Sequence, residues 1–200
     1  MNKGRLEAFS DGVIAILITI MVLELKVPDG PHWDALRPLL PTFLAYLLSY
    51  INLGIYWNNH HHMLNVTNRI NGGILWANLH LLFWLSLIPF VTRWIGEYHT
   101  ERWPTAIYGG VLLLAAIAYT ILQASIIKDQ GPGSRLRAAV GNDIKGKISA
   151  SLYVAAIPLA FVRPWISDCL YVVVASIWLV PDQRIEHSVT TGDGERLDSE

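Results

Sequence analysis

An uninterrupted apolar run near the start of the chain constrains the fold most. From Gly12 to Leu23 the only polar side chain is Thr19, and the surrounding stretch 9–25 is 17 residues long. A run of this length and composition favours a helix in lipid or protein, at the short end of what crosses a bilayer. Asp11 stands at its start, where a charged group faces protein or an aqueous path rather than lipid.

Five further apolar runs follow, separated by polar or turn-rich segments. They cover residues 36–57, 70–95, 106–127, 148–162 and 165–180. Hydrophobic residues make up 52% of the 200-residue chain and charged residues only 16%, which argues against a soluble domain. The sequence predicts an all-α integral membrane protein with six transmembrane helices in residues 1–181, followed by a polar, disordered cytoplasmic tail over 182–200.

The positive charges are unevenly distributed between the predicted loops. With six spans, both termini lie on the same side of the membrane as the second–third and fourth–fifth loops. That side holds 10 of the 15 Lys and Arg residues, and the other side holds 5. The positive-inside rule therefore predicts that both termini are cytoplasmic.

One face of the first helix carries residues that either pack against neighbouring helices or form the gate of an ion path. Ile16, Thr19, Ile20 and Leu23 share a face because they are three or four residues apart. In one interpretation the stripe packs against neighbouring helices. In the other, identical stripes from several subunits meet on an axis and form a hydrophobic constriction that gates by dewetting, with a ring of Thr19 hydroxyls beside it. Periodicity alone leaves both open.

The first helix also resembles the signature of the transmembrane protein 175 family, the endosomal and lysosomal potassium channels and their bacterial relatives. The signature reads Arg5-x-x-x-Phe9-Ser10-Asp11, and the helix closes with Leu-Glu-Leu-Lys-Val-Pro28. The resemblance continues in the second and third helices, with Tyr56-Trp57-x-x-His60-His61, Asn78 and Ile88-Pro89-Phe90. It covers most of the chain up to about residue 180.

The resemblance implies a channel permeable to potassium and modestly selective for it among monovalent cations, in the inner membrane of a bacterium. Bacterial members carry one six-helix repeat per chain and form homotetramers, so four first helices would surround a central pore. The implied pore and gate residues are Ile16, Thr19, Ile20 and Leu23. The family lacks a carbonyl filter, and this sequence has no Thr-Val-Gly-Tyr-Gly. Selectivity would then rest on partial dehydration at an apolar ring.

The polar signature residues allow two interpretations. Arg5 and Asp11 are six residues apart and do not share a helical face, so each is expected to find a partner on another helix. In the first interpretation these contacts form a structural clamp around the pore helix, with Ser10 as a helix-bridging hydroxyl. The clamp would comprise Arg5, Phe9, Ser10, Asp11, Trp57, His60, His61 and Asn78, with the two histidines and Asn78 as the candidate partners. In the second, Asp11 forms a cytoplasmic carboxylate ring that concentrates cations.

Other classes of function have weaker support in the sequence. Consecutive helical residues diverge by about 100°, so His60–His62 do not hold one metal ion without a ligand such as His80. No metal, no cofactor other than the permeant K⁺ and no enzymatic activity are expected, since no nucleophile–base pair or phosphate loop is present. A secondary transporter or proton-coupled permease would need helices interrupted at matched positions of two halves, and the spans show none. A histidine-based redox or binding protein is the remaining alternative.

Overall fold

The computed structural model contains helices and no strands in the residues that it describes, 2–67, 69–131 and 133–179. The eight α-helices are α1 (Lys3–Leu23), α2 (Leu40–Asn65), α3 (Gly72–Ser86), α4 (Ile88–Glu97), α5 (Arg102–Gln130), α6 (Arg135–Val140), α7 (Ile144–Ala160) and α8 (Pro164–Leu179). A 3-10 helix, Trp33–Leu39, leads into α2. The tail predicted over 182–200 lies outside the described residues.

Four helical stretches are long and apolar enough to cross a bilayer. They are Lys3–Leu23, Trp33–Asn65, Gly72–Glu97 and Arg102–Gln130, and they correspond to the first four predicted spans. The prediction of an all-α protein with several membrane-length helices is therefore confirmed. Where the fifth and sixth spans were predicted, the chain forms α7 and α8, which have 17 and 16 residues.

The third predicted span is interrupted near its far end. The helix stops at Ser86, Leu87 forms a turn, and α4 begins at Ile88 with Pro89 as its second residue. Proline has no amide N–H, and its ring clashes with the carbonyl group four residues earlier, here that of Leu85. The sequence predicted one continuous third span over residues 70–95, and the structure divides it at Leu87. The sixth span has no equivalent break, because α8 is continuous from Pro164 to Leu179.

α1 packs with one face only. It contacts α2, α3 and α4. Its buried residues are spaced four, four, three and four apart, so they form a single stripe along the helix. They are Leu6, Ser10, Ile14, Leu17 and Met21. The rotation of α1 is thereby fixed, and its opposite face is left uncovered by the described chain.

Small residues allow close helix approach elsewhere in the bundle. Gly96 of α4 lies against Thr42 of α2, where an added Cβ would lie 2.9 Å from the Thr42 Cα. Gly109 of α5 faces the Tyr171 ring of α8, and the Tyr171 hydroxyl donates to the Thr105 carbonyl oxygen at 3.0 Å. Helices in membranes associate through such packing because lipid tails are as apolar as the side chains.

Replacing Gly109 with alanine tests this packing. The new methyl group would overlap the Tyr171 hydroxyl and ring, which are fully buried and hydrogen-bonded and so cannot swing away. We expect Gly109→Ala to destabilise the protein by about 1–3 kcal/mol, the usual cost of overpacking. Gly110→Ala is the control, since an added Cβ there meets no atom within 4 Å. Thermal unfolding in detergent would measure both, and equal melting temperatures would contradict the packing.

Candidate functional site

The uncovered face of α1 carries the predicted gate residues. Ile16, Ile20 and Leu23 are 57%, 40% and 80% exposed, and Thr19 is exposed among them. The Thr19 hydroxyl donates to the Ile16 carbonyl oxygen at 2.9 Å, which leaves its oxygen lone pairs unused. A helix whose other face is buried presents this apolar stripe outward, so the stripe needs a second surface of lipid or protein.

The buried face of α1 contains a polar cluster that joins three helices. Ser10 on α1, His60 on α2 and Asn78 on α3 are all 0% exposed. The Asn78 Nδ2 group donates to Ser10 Oγ at 3.0 Å, and Ser10 Oγ donates to the Leu6 carbonyl oxygen at 2.9 Å. Asn78 Oδ1 lies 2.7 Å from His60 Nε2. Three of the predicted clamp residues therefore touch in the interior.

The protonation of this cluster follows from its hydrogen bonds. Because the Ser10 proton is used on a backbone carbonyl, Ser10 Oγ can only accept from Asn78, which turns the Asn78 oxygen toward His60. His60 Nε2 must then carry the hydrogen. In the described residues His60 Nδ1 is buried without a hydrogen-bond partner. The His60 Nε2–H group is thus the donor to Asn78 Oδ1.

Two side chains of α1, which lie one helical turn apart, contact two side chains of α2 that also lie one turn apart. Trp57 Nε1 donates to Asp11 Oδ1 at 3.0 Å, and His61 Nδ1 lies 3.7 Å from Glu7 Oε1. The Trp57 and His61 rings stack with their centroids 6.2 Å apart. The expected partners of Asp11 were His60, His61 or Asn78, and the structure gives Trp57 instead. Glu7 was not among the predicted site residues.

Arg5 and Phe9 are the two signature residues that take no part in this contact region. Both are exposed, and they lie on the same side of α1 as Ile16 and Leu23. Within the ranges that the structure describes, the Arg5 side chain forms no hydrogen bond or ion pair. The expected partner on another helix of the same chain is therefore not found for Arg5.

Ion pairs at the opposite end of α1 were missed by the sequence analysis. Glu24 follows the last residue of α1, and its Oε2 atom lies 2.6 Å from Nη1 of Arg93 on α4. Arg93 Nε also lies 3.6 Å from Glu97 Oε1. Lys26 Nζ lies 2.8 Å from the same Glu97 oxygen. The sequence did contain a signal, because Glu24 and Arg93 have opposite charges and end two predicted spans on the same side.

The histidines do not converge on a common point. His80 is exposed on α3 and its Nε2 accepts from Trp84 Nε1 at 2.9 Å, whereas His60 is buried against Asn78. In the part of the chain that the structure covers, no group of three His, Cys, Asp or Glu side chains is arranged to hold a metal ion.

Comparison with known proteins places the chain in a family. The model of a family described as the endosomal/lysosomal potassium channel TMEM175 matches residues 5–89, which include the Ser10–Asn78–His60 cluster and the Asp11–Trp57 pair. A potassium channel of Chryseobacterium sp. is 57% identical over 189 residues, covering 94% of this chain and 98% of that protein. The chain belongs to the TMEM175 family. The resemblance inferred from the first helix is thereby confirmed, and the family is one of ion channels rather than enzymes.

Further TMEM175 relatives agree in sequence and in fold. A potassium channel of Streptomyces collinus is 38% identical over 131 residues, covering 61% of this chain and 64% of that protein. The crystal structure of a lysosomal potassium-selective channel TMEM175 homolog from Chamaesiphon minutus superposes with a TM-score of 0.78 at 30% identity, covering 90% of this chain and 97% of that one. The fold of this TMEM175 chain is thus that of a solved channel.

Asn78→Leu tests the three-helix cluster of this TMEM175 chain. The substitution keeps the branched shape of the side chain but leaves the His60 Nε2–H buried without an acceptor and removes the bridge to Ser10. Each unsatisfied buried group costs about 1–3 kcal/mol. We expect a clear loss of thermal stability in detergent, measured by size-exclusion chromatography after heating. Asn58→Leu, at an exposed position of α2, is the matched control and should change little; similar behaviour of both variants would contradict a structural role for the cluster.

Proposed function

We propose that this chain forms a potassium-permeable channel, a homotetramer in which four copies of α1 surround a central pore. The observation that carries the proposal is the exposed apolar stripe of Ile16, Ile20 and Leu23 on a helix whose other face is fixed to α2, α3 and α4. Four-fold assembly would bring the stripes together on an axis and cover them. The names of the Chryseobacterium and Streptomyces relatives, both potassium channels, support this function.

In the proposed topology each chain crosses the inner membrane of a bacterium six times and is surrounded by its lipid bilayer. Both termini lie in the cytoplasm. The four long apolar stretches supply four spans, and α7 and α8 supply the fifth and sixth. A helix of 16 residues is about 24 Å long, shorter than a hydrocarbon core of about 30 Å. Local thinning of the bilayer accommodates such a difference at modest cost.

The proposed gate is a stack of apolar rings over about 10 Å, the rise from Ile16 to Leu23. Water leaves so narrow an apolar segment readily, which closes the path to ions. When the ring opens slightly, a permeant ion must shed part of its hydration shell. This costs less for K⁺ than for the smaller Na⁺ and gives a modest preference for K⁺. The unused lone pairs of Thr19 would face the ion beside the ring.

The polar signature is proposed to act as a clamp that holds α1 in place. The buried Ser10–Asn78–His60 cluster fixes the rotation of α1, and the pairs Asp11–Trp57 and Glu7–His61 hold its cytoplasmic end. Asp11 is half-buried and accepts a hydrogen bond from Trp57. A carboxylate in that position supports the clamp over the alternative of a cation-concentrating ring.

Ion flux through the purified protein in liposomes would test the function directly. A potassium gradient set against sodium should give rapid, non-saturating flux that prefers potassium. Saturable or strictly proton-coupled flux would instead favour a secondary transporter. Optical absorbance of a bound cofactor on purification would favour the histidine-based redox protein.

Shortening the gate residues is expected to open the pathway. Leu23→Ala and Ile20→Ala would widen the apolar ring and admit water, so the potassium leak into liposomes should rise severalfold. Val22→Ala is the matched control: Val22 is 47% exposed on the same helix but points away from the stripe, so its removal should leave flux unchanged. Unchanged flux in correctly assembled Leu23→Ala and Ile20→Ala proteins would rule out this gate.

Asp11→Asn separates the clamp from the carboxylate ring. Asparagine still accepts from Trp57, but a neutral acceptor bonds roughly half as strongly as a carboxylate. The clamp predicts a smaller tetramer fraction and lower thermal stability on size-exclusion chromatography. An intact tetramer of normal stability with reduced single-channel conductance would support the ring instead. Asp29→Asn, at an exposed position after α1, serves as the control for loss of charge alone.

A further inference from the structure

A cavity of about 410 Å³ lies away from the proposed pore, lined by residues of α2, α5, α7 and α8 and by Val140 and Asp143. Its volume falls within the range of about 300–1,000 Å³ that is typical of ligand pockets. None of its lining residues belongs to α1. The cavity is therefore separate from the stripe and from the polar cluster described above.

Three polar side chains line this cavity without a protein partner. Gln123 of α5 and Tyr153 of α7 are 8% and 4% exposed, and among the described residues neither side chain makes a hydrogen bond. The hydroxyl of Tyr56 on α2 is in the same situation. The three side chains line the open space of the cavity, where a bound molecule can reach their polar ends. A bound molecule with acceptor oxygens would satisfy all three.

Several other polar groups of the lining already have hydrogen-bond partners. Asn59 Nδ2 donates to the Ile55 carbonyl oxygen at 2.9 Å, and Ser149 Oγ accepts from Trp178 Nε1 at 2.8 Å. The Asp143 carboxylate accepts from the Gly146 N–H at 3.1 Å and so caps α7. The contrast identifies Tyr56, Tyr153 and Gln123 as the groups free to meet a ligand.

The rest of the lining is suited to a hydrocarbon chain. Ile55, Ala116 and Ala150 form part of its wall. Ile117 and Ile121, which are 42% and 43% exposed, also line it, so the cavity communicates with the outside of the helix bundle. Lys147, an exposed cation, stands on the lining as well. Apolar walls with inward donors and one nearby cation match a molecule with a long apolar part and an acceptor-rich head.

We propose that this cavity binds an amphiphile consisting of a hydrocarbon chain and a carboxylate or acyl-ester head. The head oxygens accept hydrogen bonds from Tyr56, Tyr153 and Gln123, and the chain lies against the isoleucine and alanine wall. The same chemistry has two sources, a phospholipid of the bilayer and a free fatty acid. Binding does not depend on ion conduction, so it is tested independently of the channel.

Photo-crosslinking of the purified full-length chain tests the site. One sample is reconstituted in nanodiscs containing phosphatidylglycerol with a diazirine in one acyl chain, and a second receives a diazirine-bearing fatty acid in detergent. Crosslinked peptides are located by mass spectrometry. Labelling of the cavity lining by the phospholipid identifies the bilayer as the source, and labelling by the fatty acid alone identifies the free amphiphile. No enrichment of either label on the lining overturns the proposal.

Two pairs of variants assign the label to this cavity. Ala116→Phe fills the space and should lower crosslinking to the lining at least fivefold, whereas Ala124→Phe, exposed on the same helix and outside the lining, should not. Tyr153→Phe loses no internal hydrogen bond and keeps its volume, so it folds even if Ala116→Phe does not. It should weaken fatty-acid binding about threefold to tenfold, the effect of one hydrogen bond. Tyr50→Phe, at an exposed position of α2, is its control, and equal binding by the two tyrosine variants would overturn the assignment.

Discussion

The position of α1 depends on one amide. Asn78 bridges Ser10 and His60 in a buried interior, where leaving a polar group without a hydrogen bond is costly. Because the Ser10 proton is already bound to the Leu6 carbonyl oxygen, only one arrangement of the three side chains satisfies Asn78. A rotation of α1 by one residue, about 100°, would remove Ser10 from the cluster. The same amide thus decides which residues of α1 face outward.

The remaining contacts of α1 stabilise its ends rather than its rotation. Asp11–Trp57 lies near its start, and Glu24–Arg93 lies directly after its last turn. Partly exposed pairs of this kind contribute little individually. Between them the buried face is held by apolar packing alone, at Ile14, Leu17 and Met21. The segment opposite this packing is the stripe of Ile16 and Ile20, so the proposed gate lies on the part of α1 with no polar attachment.

The sequence predicted the helices well and their contacts less well, for a physical reason. Long apolar runs determine where a chain can cross a membrane, so the first four spans were located closely. The break at Leu87 relieves the clash between the Pro89 ring and the Leu85 carbonyl group. The length of an apolar run does not show where such a break falls. Trp57 rather than His60 meets Asp11 because partner choice depends on the rotation of α2. An antiparallel pair of helices aligns Glu7 with His61 and Asp11 with Trp57, and the order of residues alone does not fix that rotation.

α2 connects the two regions on which the functional arguments rest. Trp57, His60 and His61 face α1 and α3, whereas Tyr56 and Asn59, on neighbouring positions of the same turn, line the cavity on the other side. No cavity residue lies on α1, so a bound amphiphile would reach α1 only by shifting a helix between them, and α2 both lines the cavity and contacts α1. Packed side chains transmit such a shift when the element has two discrete positions. The buried contact between His60 and Asn78 would have to break or move with α2 in such a shift, so it opposes transmission from the cavity to the proposed pore.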